Sequence, residues 1–224
     1  MLGLLLVGGQ LLGFVSLTRG DVTIATPVLG MKTILVALLT QAVLGLHLPA
    51  KLRVAAGLSS GAIALLSWSG GGRHRRVGLT VATGLGAAAF FATFDIGVQK
   101  WAPAWGPGRL LPLVMAMGAA FSIALVPMFR EPLARIPRAA WRPLLVGSAC
   151  ISAQGILLIT SIAFFGDATS VNIVYSVRSL WMVVVVWWIG HWFHNAEQQL
   201  GRGVLGWRLT GAALMTAAVG LALA

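Results

Sequence analysis

Long apolar runs alternate with short polar or charged breaks along almost the whole chain. A helix crosses the roughly 30 Å hydrocarbon core of a bilayer with about 20 consecutive apolar residues, and most of these runs are close to that length. The pattern predicts eight spans, at 2–17, 22–46, 52–69, 77–98, 109–128, 143–165, 168–192 and 207–224. We therefore expect an all-α, polytopic membrane helix bundle with eight transmembrane helices.

Two of the breaks are very short, and each places an aspartate directly before an apolar run. Asp21 precedes the second predicted span and Asp167 precedes the seventh. An aspartate in this position accepts hydrogen bonds from backbone N–H groups at the start of a helix. We therefore assign both residues to helix capping rather than to chemistry.

The composition agrees with a membrane protein. Of the 224 residues, 58% are hydrophobic and 9% are charged, whereas about one quarter of an ordinary soluble domain is charged. The formal net charge is +11, but the cations lie in short breaks between apolar runs, so we do not expect nucleic-acid binding. The single cysteine excludes an intramolecular disulfide, and no nucleotide-binding, hydrolase or metal-binding motif is present. We expect no enzyme activity, no cofactor and no metal.

With eight spans, every second break lies on the same side of the membrane. The cations in the breaks are divided unequally between the two sides. By the positive-inside rule, the side with ten cations is cytoplasmic and the side with four faces outward. The ten are Arg19, Arg73, Arg75, Arg76, Arg130, Arg135, Arg138, Arg142, Arg202 and Arg208, and the four are Lys51, Arg53, Lys100 and Arg109. The break 70–76 is then a cytoplasmic linker, and we expect a multi-pass protein of the plasma membrane.

Two segments of the chain resemble each other at a constant offset of 146 residues. "GDVTIATPVLGMKTI" (20–34) aligns with "GDATSVNIVYSVRSL" (166–180) through four identities, and this register places Lys32 opposite Arg178. These are the two cations that lie well inside predicted spans. An odd number of spans separates the equivalent helices, so the repeat is predicted to be inverted, as in many secondary transporters.

The inversion brings the two central cations towards the middle of the membrane from opposite faces. Lys32 and Arg178 each follow the capping aspartate by eleven residues, which is about 16 Å along a helix in a core about 30 Å thick. Because like charges repel, the pair requires an anionic group. The internal candidate is Asp95, although its proximity to Lys100 suggests a position nearer one interface.

These stretches resemble the EamA-like proteins of the drug/metabolite transporter superfamily. The similarity lies in residues 25–66, 168–193 and 201–223, which share that family's order of a short helix-starting turn, an apolar span, a charged break and a Gly/Ala-rich last helix. The break "GLHLPAKLR" departs from the pattern because it lacks a glutamate. The motifs are diffuse, so the resemblance indicates fold and class better than substrate.

The resemblance implies a fold of ten helices in two inverted five-helix repeats around a central cavity. On this basis residues 1–69 form an incomplete first repeat of three spans, 70–76 the linker, and 77–224 the second repeat of five spans. The first two helices of the family's fold have no counterpart, so we expect a chain that begins late. The helices that line the cavity correspond to 2–17, 22–46, 143–165 and 168–192.

Polar side chains on those spans are the candidate substrate-binding residues. Asn172, Tyr175 and Arg178 are spaced by three residues, so they are predicted to share one helix face. The full set is Gln10, Lys32, Gln154, Asn172, Tyr175 and Arg178. The alternative for Asn172 and Tyr175 is that they only hydrogen-bond neighbouring helices. Asp95 has two interpretations, as a carrier of a coupling proton, or as a partner of Lys100 or a cap of polar backbone near the interface.

The first functional hypothesis is a secondary transporter or exchanger of a small organic metabolite, working by alternating access. Should Asp95 not reach the two cations, a substrate carboxylate or phosphate is their natural partner. Phosphate translocators of the same superfamily are similar in placing basic residues on equivalent helices, which favours an organic anion. The second hypothesis is a non-transporting membrane scaffold, or an inactive truncated transporter, whose central charges pair internally. The expected partners are the bilayer and a small molecule, and a homodimer is left open.

Overall fold

The computed structural model describes residues 1–66, 76–128, 135–189 and 202–224, and all of its regular structure there is helical. The predicted linker 70–76 lies outside the described residues except for Arg76. The helices are α1 (Leu2–Arg19), α2 (Val22–Gly30), α3 (Lys32–Leu44), α4 (Ala50–Leu66), α5 (Val77–Trp105), α6 (Pro107–Ile123), α7 (Arg138–Phe165), α8 (Ala168–Tyr175), α9 (Arg178–Ile189) and α10 (Arg202–Leu223), with one 3₁₀ turn at Val126–Met128.

Five helical segments within the described part of the chain are long and apolar enough to cross a membrane. They are Leu2–Arg19, Ile24–Leu44, Val77–Trp105, Arg138–Phe165 and Gly206–Leu223. The three other predicted spans do not meet this length. Two of them coincide with α4 and α6, which have 17 residues each. The third, the seventh predicted span, is split into α8 and α9. The chain is thus compatible with a multi-pass membrane protein, and the count of eight spans stays a prediction.

Two of the predicted spans are interrupted, and both interruptions lie at the same point of the sequence repeat. The first falls between α2 and α3, where the Met31 N–H bonds to the carbonyl of Val28, three residues back. The second falls between α8 and α9. The N–H groups of Val177, Ser179 and Leu180 there also bond to carbonyls three residues back, which is 3₁₀ rather than α geometry. Each second half-helix begins at one of the two central cations.

The long helix α5 forms the centre of the bundle and contacts α1, α2, α3, α6, α7 and α8. The main apolar core lies around it and includes Phe94, Ile96, Val98, Val36 and Ile162, each at most 2% exposed. On the other side of the bundle α4 packs along α10. Part of the outside is apolar. Residues 144–153 of α7 are exposed and mostly apolar, a surface that suits acyl chains better than water.

Small residues allow the helices to approach each other closely. A Cβ atom on Gly8 or Gly9 of α1 would lie within 3 Å of the Phe90 or Phe91 ring of α5. Close approach at glycine is a common means of helix association in membranes, because apolar side chains gain little from leaving lipid for a helix interface. Gly211 of α10 allows a close approach of the same kind to α4.

Gly211→Ala is expected to destabilise the protein by about 1–3 kcal/mol, the usual cost of overpacking a tight contact. The added Cβ would lie 2.9 Å from the backbone nitrogen of Leu66 and 3.0 Å from the carbonyl oxygen of Ala62, so α4 and α10 must separate. Gly220→Ala on the same helix is the matched control, because its Cβ would meet nothing within 4 Å. Thermal unfolding of the two variants in detergent checks the difference, and equal melting temperatures would contradict the close contact.

Candidate functional site: a charged cluster at two helix interruptions

Asp95 of α5 is the centre of a buried ion pair. Its side chain is 2% exposed, and its Oδ2 atom lies 2.8 Å from Nζ of Lys32, the first residue of α3. The Nδ2 group of Asn172 on α8 donates a second hydrogen bond of 2.8 Å to the same oxygen. One carboxylate therefore links α3, α5 and α8, and it neutralises Lys32.

Aromatic rings complete the surroundings of Lys32. Its Nζ atom lies 5.8 Å from the centroid of the Phe91 ring and 5.9 Å from that of the Tyr175 ring. Phe91 precedes Asp95 by four residues, so both project from the same face of α5. The lysine side chain is 16% exposed. A cation in this position is stabilised by the carboxylate and by both ring faces.

Arg178 contacts the ring of Tyr175, the same ring that Lys32 approaches. Its guanidinium carbon is 4.7 Å from the ring centroid, and its side chain is exposed. No carboxylate of the described residues pairs with it. Lys32, Asp95, Asn172, Tyr175 and Arg178 are called the central cluster below. Its members carry two cationic groups and one anionic group, and the excess positive charge lies at Arg178.

The sequence left open whether Asp95 reaches the central cations, and the structure answers this for each of them. Asp95 reaches Lys32 but is not in ion-pair contact with Arg178. The pairing of Asp95 with Lys100 that the sequence also allowed is not found, because the carboxylate pairs with Lys32 and Lys100 is exposed. The helix continues to Trp105, about 15 Å beyond Asp95, and the position of Asp95 relative to a membrane interface stays a prediction.

The prediction that Asn172, Tyr175 and Arg178 share one helix face holds only in part. The helix is interrupted after Tyr175, so Arg178 starts a separate half-helix and does not continue the stripe of α8. The three side chains nevertheless stay in one cluster, since Tyr175 contacts both cations and Asn172 donates to the carboxylate that pairs with Lys32. The two other candidates lie apart from it. Gln10 is exposed and Gln154 half-buried, and no hydrogen bond within the described residues joins either to the cluster.

Hydroxyl pairs that sequence reasoning missed hold α3 against α8. Thr33 and Ser176 are 3.4 Å apart between their oxygens, and Thr40 and Thr169 are 3.1 Å apart. Both pairs are buried, and they follow an antiparallel register because each step forward on α3 is a step back on α8. The only sequence signal for them is the presence of hydroxyl groups inside apolar runs.

Gln99 is a second residue that sequence reasoning missed. Its Nε2 group donates to the carbonyl of Gly166 at 2.6 Å, and its Oε1 atom accepts from the N–H of Ala168 at 3.1 Å. Gln99 lies one helical turn after Asp95, which could have marked it as part of a polar face. The amide attaches α5 to the turn that starts α8. At this turn the capping role predicted for Asp167 is confirmed, since its Oδ1 accepts from the N–H of Ser170 at 3.0 Å.

No protein-family model matches the chain, and no curated protein matches its sequence. A solved structure described only as "Crystal structure of protein" is similar, with a TM-score of 0.67 over 97% of this chain and 72% of that chain, at 16% sequence identity. At that identity the likeness concerns the fold alone. The chain is thus an all-α bundle, with a solved structural relative and five segments able to cross a membrane.

Proposed function

We propose that this chain works as a secondary transporter or exchanger of a small organic anion, by alternating access at the central cluster. The observation that carries the proposal is the position of two opposed half-helix starts, at Lys32 and Arg178, around one buried carboxylate. Discontinuous helices that meet near the membrane midplane are a recurring way to build substrate sites in such transporters.

The helix boundaries support two repeats related by the offset of 146 residues. The helices α1 and α7 end at Arg19 and Phe165, and the first half-helices start at Val22 and Ala168. The second half-helices start at Lys32 and Arg178, so three boundaries agree to the residue. This agreement favours the inverted-repeat interpretation and the division into 1–69 and 77–224. The eight-span, EamA-like architecture in a plasma membrane that the sequence suggested stays part of the proposal.

Arg178 is the proposed substrate ligand. No ion pair among the described residues uses its charge, and its side chain is exposed. A guanidinium resting on an aromatic face keeps N–H groups free for a carboxylate or phosphate, which it can bind through two parallel hydrogen bonds. Lys32 is the weaker candidate for direct binding because Asp95 already neutralises it. Tyr175 contacts both cations, and Asn172 holds the Asp95 carboxylate that pairs with Lys32.

A scaffold function is the second candidate, and the ion pair itself favours it. Lys32, Asp95 and Asn172 satisfy one another without any ligand, which a purely structural polar cluster would also do. The scaffold proposal predicts that no organic anion raises the melting temperature of the purified protein. The transporter proposal predicts that at least one does, because a ligand bound only by the folded state stabilises it.

Arg178→Leu should reduce uptake of the transported anion into proteoliposomes by at least about tenfold, since hydrogen bonds to a charged group contribute about 1.5–3 kcal/mol. The assay uses radiolabelled benzoate, malate and glycerol phosphate. Lys100→Gln, which removes an exposed cation near the end of α5, is the control and should keep wild-type uptake. Equal uptake by the Arg178→Leu variant and the wild type would exclude Arg178 as the ligand.

A further inference from the structure

We propose that two copies of this chain associate in the membrane through α7 of one copy and α9 of the other. The pairing is reciprocal, as in any twofold dimer, so α9 of the first copy meets α7 of the second. Both helices present apolar side chains outward, at residues 144–153 of α7 and at Trp181, Val184, Val185 and Trp188 of α9. This contact does not depend on the transporter function.

The exposed surface of α7 has two gaps at glycine residues. Gly147 and Gly155 lie on one i, i+4 row of the helix surface, with Ile151 between them. A Cβ atom added at either glycine would meet nothing within 4 Å among the described residues, whereas the Ile151 side chain is exposed and projects outward. Gaps of this kind let a second helix approach closely in a membrane.

The exposed surface of α9 has the converse pattern. Trp181 and Trp188 are 63% and 71% exposed, and their spacing of seven residues places them two turns apart on one face. Val184 and Val185 lie between them and are exposed as well. Two large side chains thus flank smaller ones on α9, which is complementary to two gaps that flank an isoleucine on α7.

The two patterns lie at similar distances from the turn that joins α7 to α8. At about 1.5 Å per residue, Gly155 and Gly147 are about 15 and 27 Å from the end of α7, and Trp181 and Trp188 are about 20 and 30 Å from the start of α8. A twofold axis along the membrane normal preserves these depths in the second copy. Trp181 of one copy therefore faces the gap at Gly155 of the other, and Trp188 faces the gap at Gly147.

The depth of Trp181 is a second reason for the contact. Tryptophan in membrane proteins concentrates at the two interfaces, but Trp181 lies about 20 Å along the span in a core about 30 Å thick. No described residue accepts a hydrogen bond from its indole N–H. Ser152 of the second copy, exposed on α7, lies at the same depth and offers a hydroxyl oxygen. The dimer thus removes a polar N–H group from hydrocarbon, where it is costly.

The arginines of α7 argue against a contact of α7 with its own copy. Arg138 and Arg142 lie in the first turns of α7 and are exposed. A contact between two α7 helices would bring four like charges together at one end of the interface, which is unfavourable. The segment 179–189 of α9 carries no charged residue, so pairing α7 with α9 avoids this repulsion.

Cysteine crosslinking tests the pairing, because Cys150 is the single cysteine and lies on the exposed surface of α7. Two differently tagged forms are reconstituted together in phosphatidylcholine vesicles and oxidised with copper phenanthroline. One is the wild type, and the other carries Cys150→Ser with Val184→Cys, a position at the depth of Cys150. We expect a dimer band that contains both tags. The control carries Cys150→Ser with Val54→Cys, on the exposed face of α4, and should give no such band.

Three outcomes of this experiment would overturn the proposal. A dimer band from the wild type alone would indicate that two α7 helices meet. Equal crosslinking through Val184→Cys and Val54→Cys would indicate random collision. Absence of the mixed band would indicate that α9 does not lie against α7 of a second copy.

Gly155→Leu tests the gap without disturbing a single copy, because the added Cβ meets nothing within 4 Å among the described residues. It should raise the dissociation constant of the dimer at least about tenfold, since overpacking separates the helices. Energy transfer between labelled copies, followed as the vesicles are diluted with lipid, measures this constant. Gly57→Leu on α4, equally open, is the matched control and should keep the wild-type value. Equal constants for the two variants, or a wild type that is monomeric at every dilution, would refute the dimer.

Discussion

Lys32→Met is expected to lower the free energy of unfolding by about 3–5 kcal/mol, the usual cost of breaking a buried ion pair from one side. The substitution leaves the Asp95 carboxylate, 2% exposed, without its countercharge and with only the Asn172 amide as a donor. Thermal or denaturant unfolding of the purified chain in detergent measures the loss. Lys51→Met is the control, because Lys51 is exposed at the start of α4, and it should change stability by less than about 0.5 kcal/mol.

The double variant Lys32→Met with Asp95→Asn tests whether the broken ion pair is the source of this loss of stability. It removes both charges while keeping an acceptor oxygen for Asn172, so it should be more stable than the Lys32→Met variant. Replacing both partners of a buried ion pair with neutral groups costs little stability, whereas leaving one buried charge unpaired costs much. If the double variant were the less stable of the two, the ion pair would not be the source of the loss.

Gln99→Leu is expected to cost about 2–4 kcal/mol, because it removes two hydrogen bonds and leaves two backbone groups without partners. These groups are the carbonyl of Gly166 and the N–H of Ala168. Ala168 is buried, so water does not easily replace the bond to its N–H, whereas Gly166 is exposed. Hydrogen exchange at Ala168 should accelerate in parallel with the fall in melting temperature.

Gln10→Leu is the matched control for this substitution. It makes the same chemical change in α1, at an exposed position without a hydrogen bond within the described residues. It should therefore leave both stability and exchange at Ala168 near wild-type values. A comparable loss in the two variants would mean that leucine itself, and not the missing amide, disturbs the bundle.

The positions of the helices could be predicted from the sequence, because bilayer thickness and apolar length constrain them strongly. The break between α8 and α9 could not. "VNIVYSVRSLWM" contains neither proline nor glycine, so neither of the residues that usually interrupt a helix marks the break. The break between α2 and α3 has a local signal in Pro27, which cannot donate a backbone hydrogen bond inside α2.

The sequence predicted which residues form the candidate site better than it predicted which of them touch each other. The repeat identified Lys32 and Arg178 as a related pair, and the scarcity of acids identified Asp95 as the internal partner. Which cation Asp95 meets depends on the rotation of α5, which places Phe91, Asp95 and Gln99 on one face towards α3 and α8. The sequence of α5 is apolar nearly all round, so its pattern leaves that rotation undetermined.

The 3₁₀ turns between α8 and α9 have a mechanical consequence for Arg178. A residue advances a helix by 120° and about 2.0 Å in 3₁₀ geometry but by 100° and about 1.5 Å in α geometry. Exchanging three such bonds, at Val177, Ser179 and Leu180, for α-type bonds would turn α9 by about 60° and shorten the segment by about 1.5 Å. A change confined to a few backbone bonds could therefore swing the guanidinium off the Tyr175 ring while the Lys32–Asp95 pair stays closed.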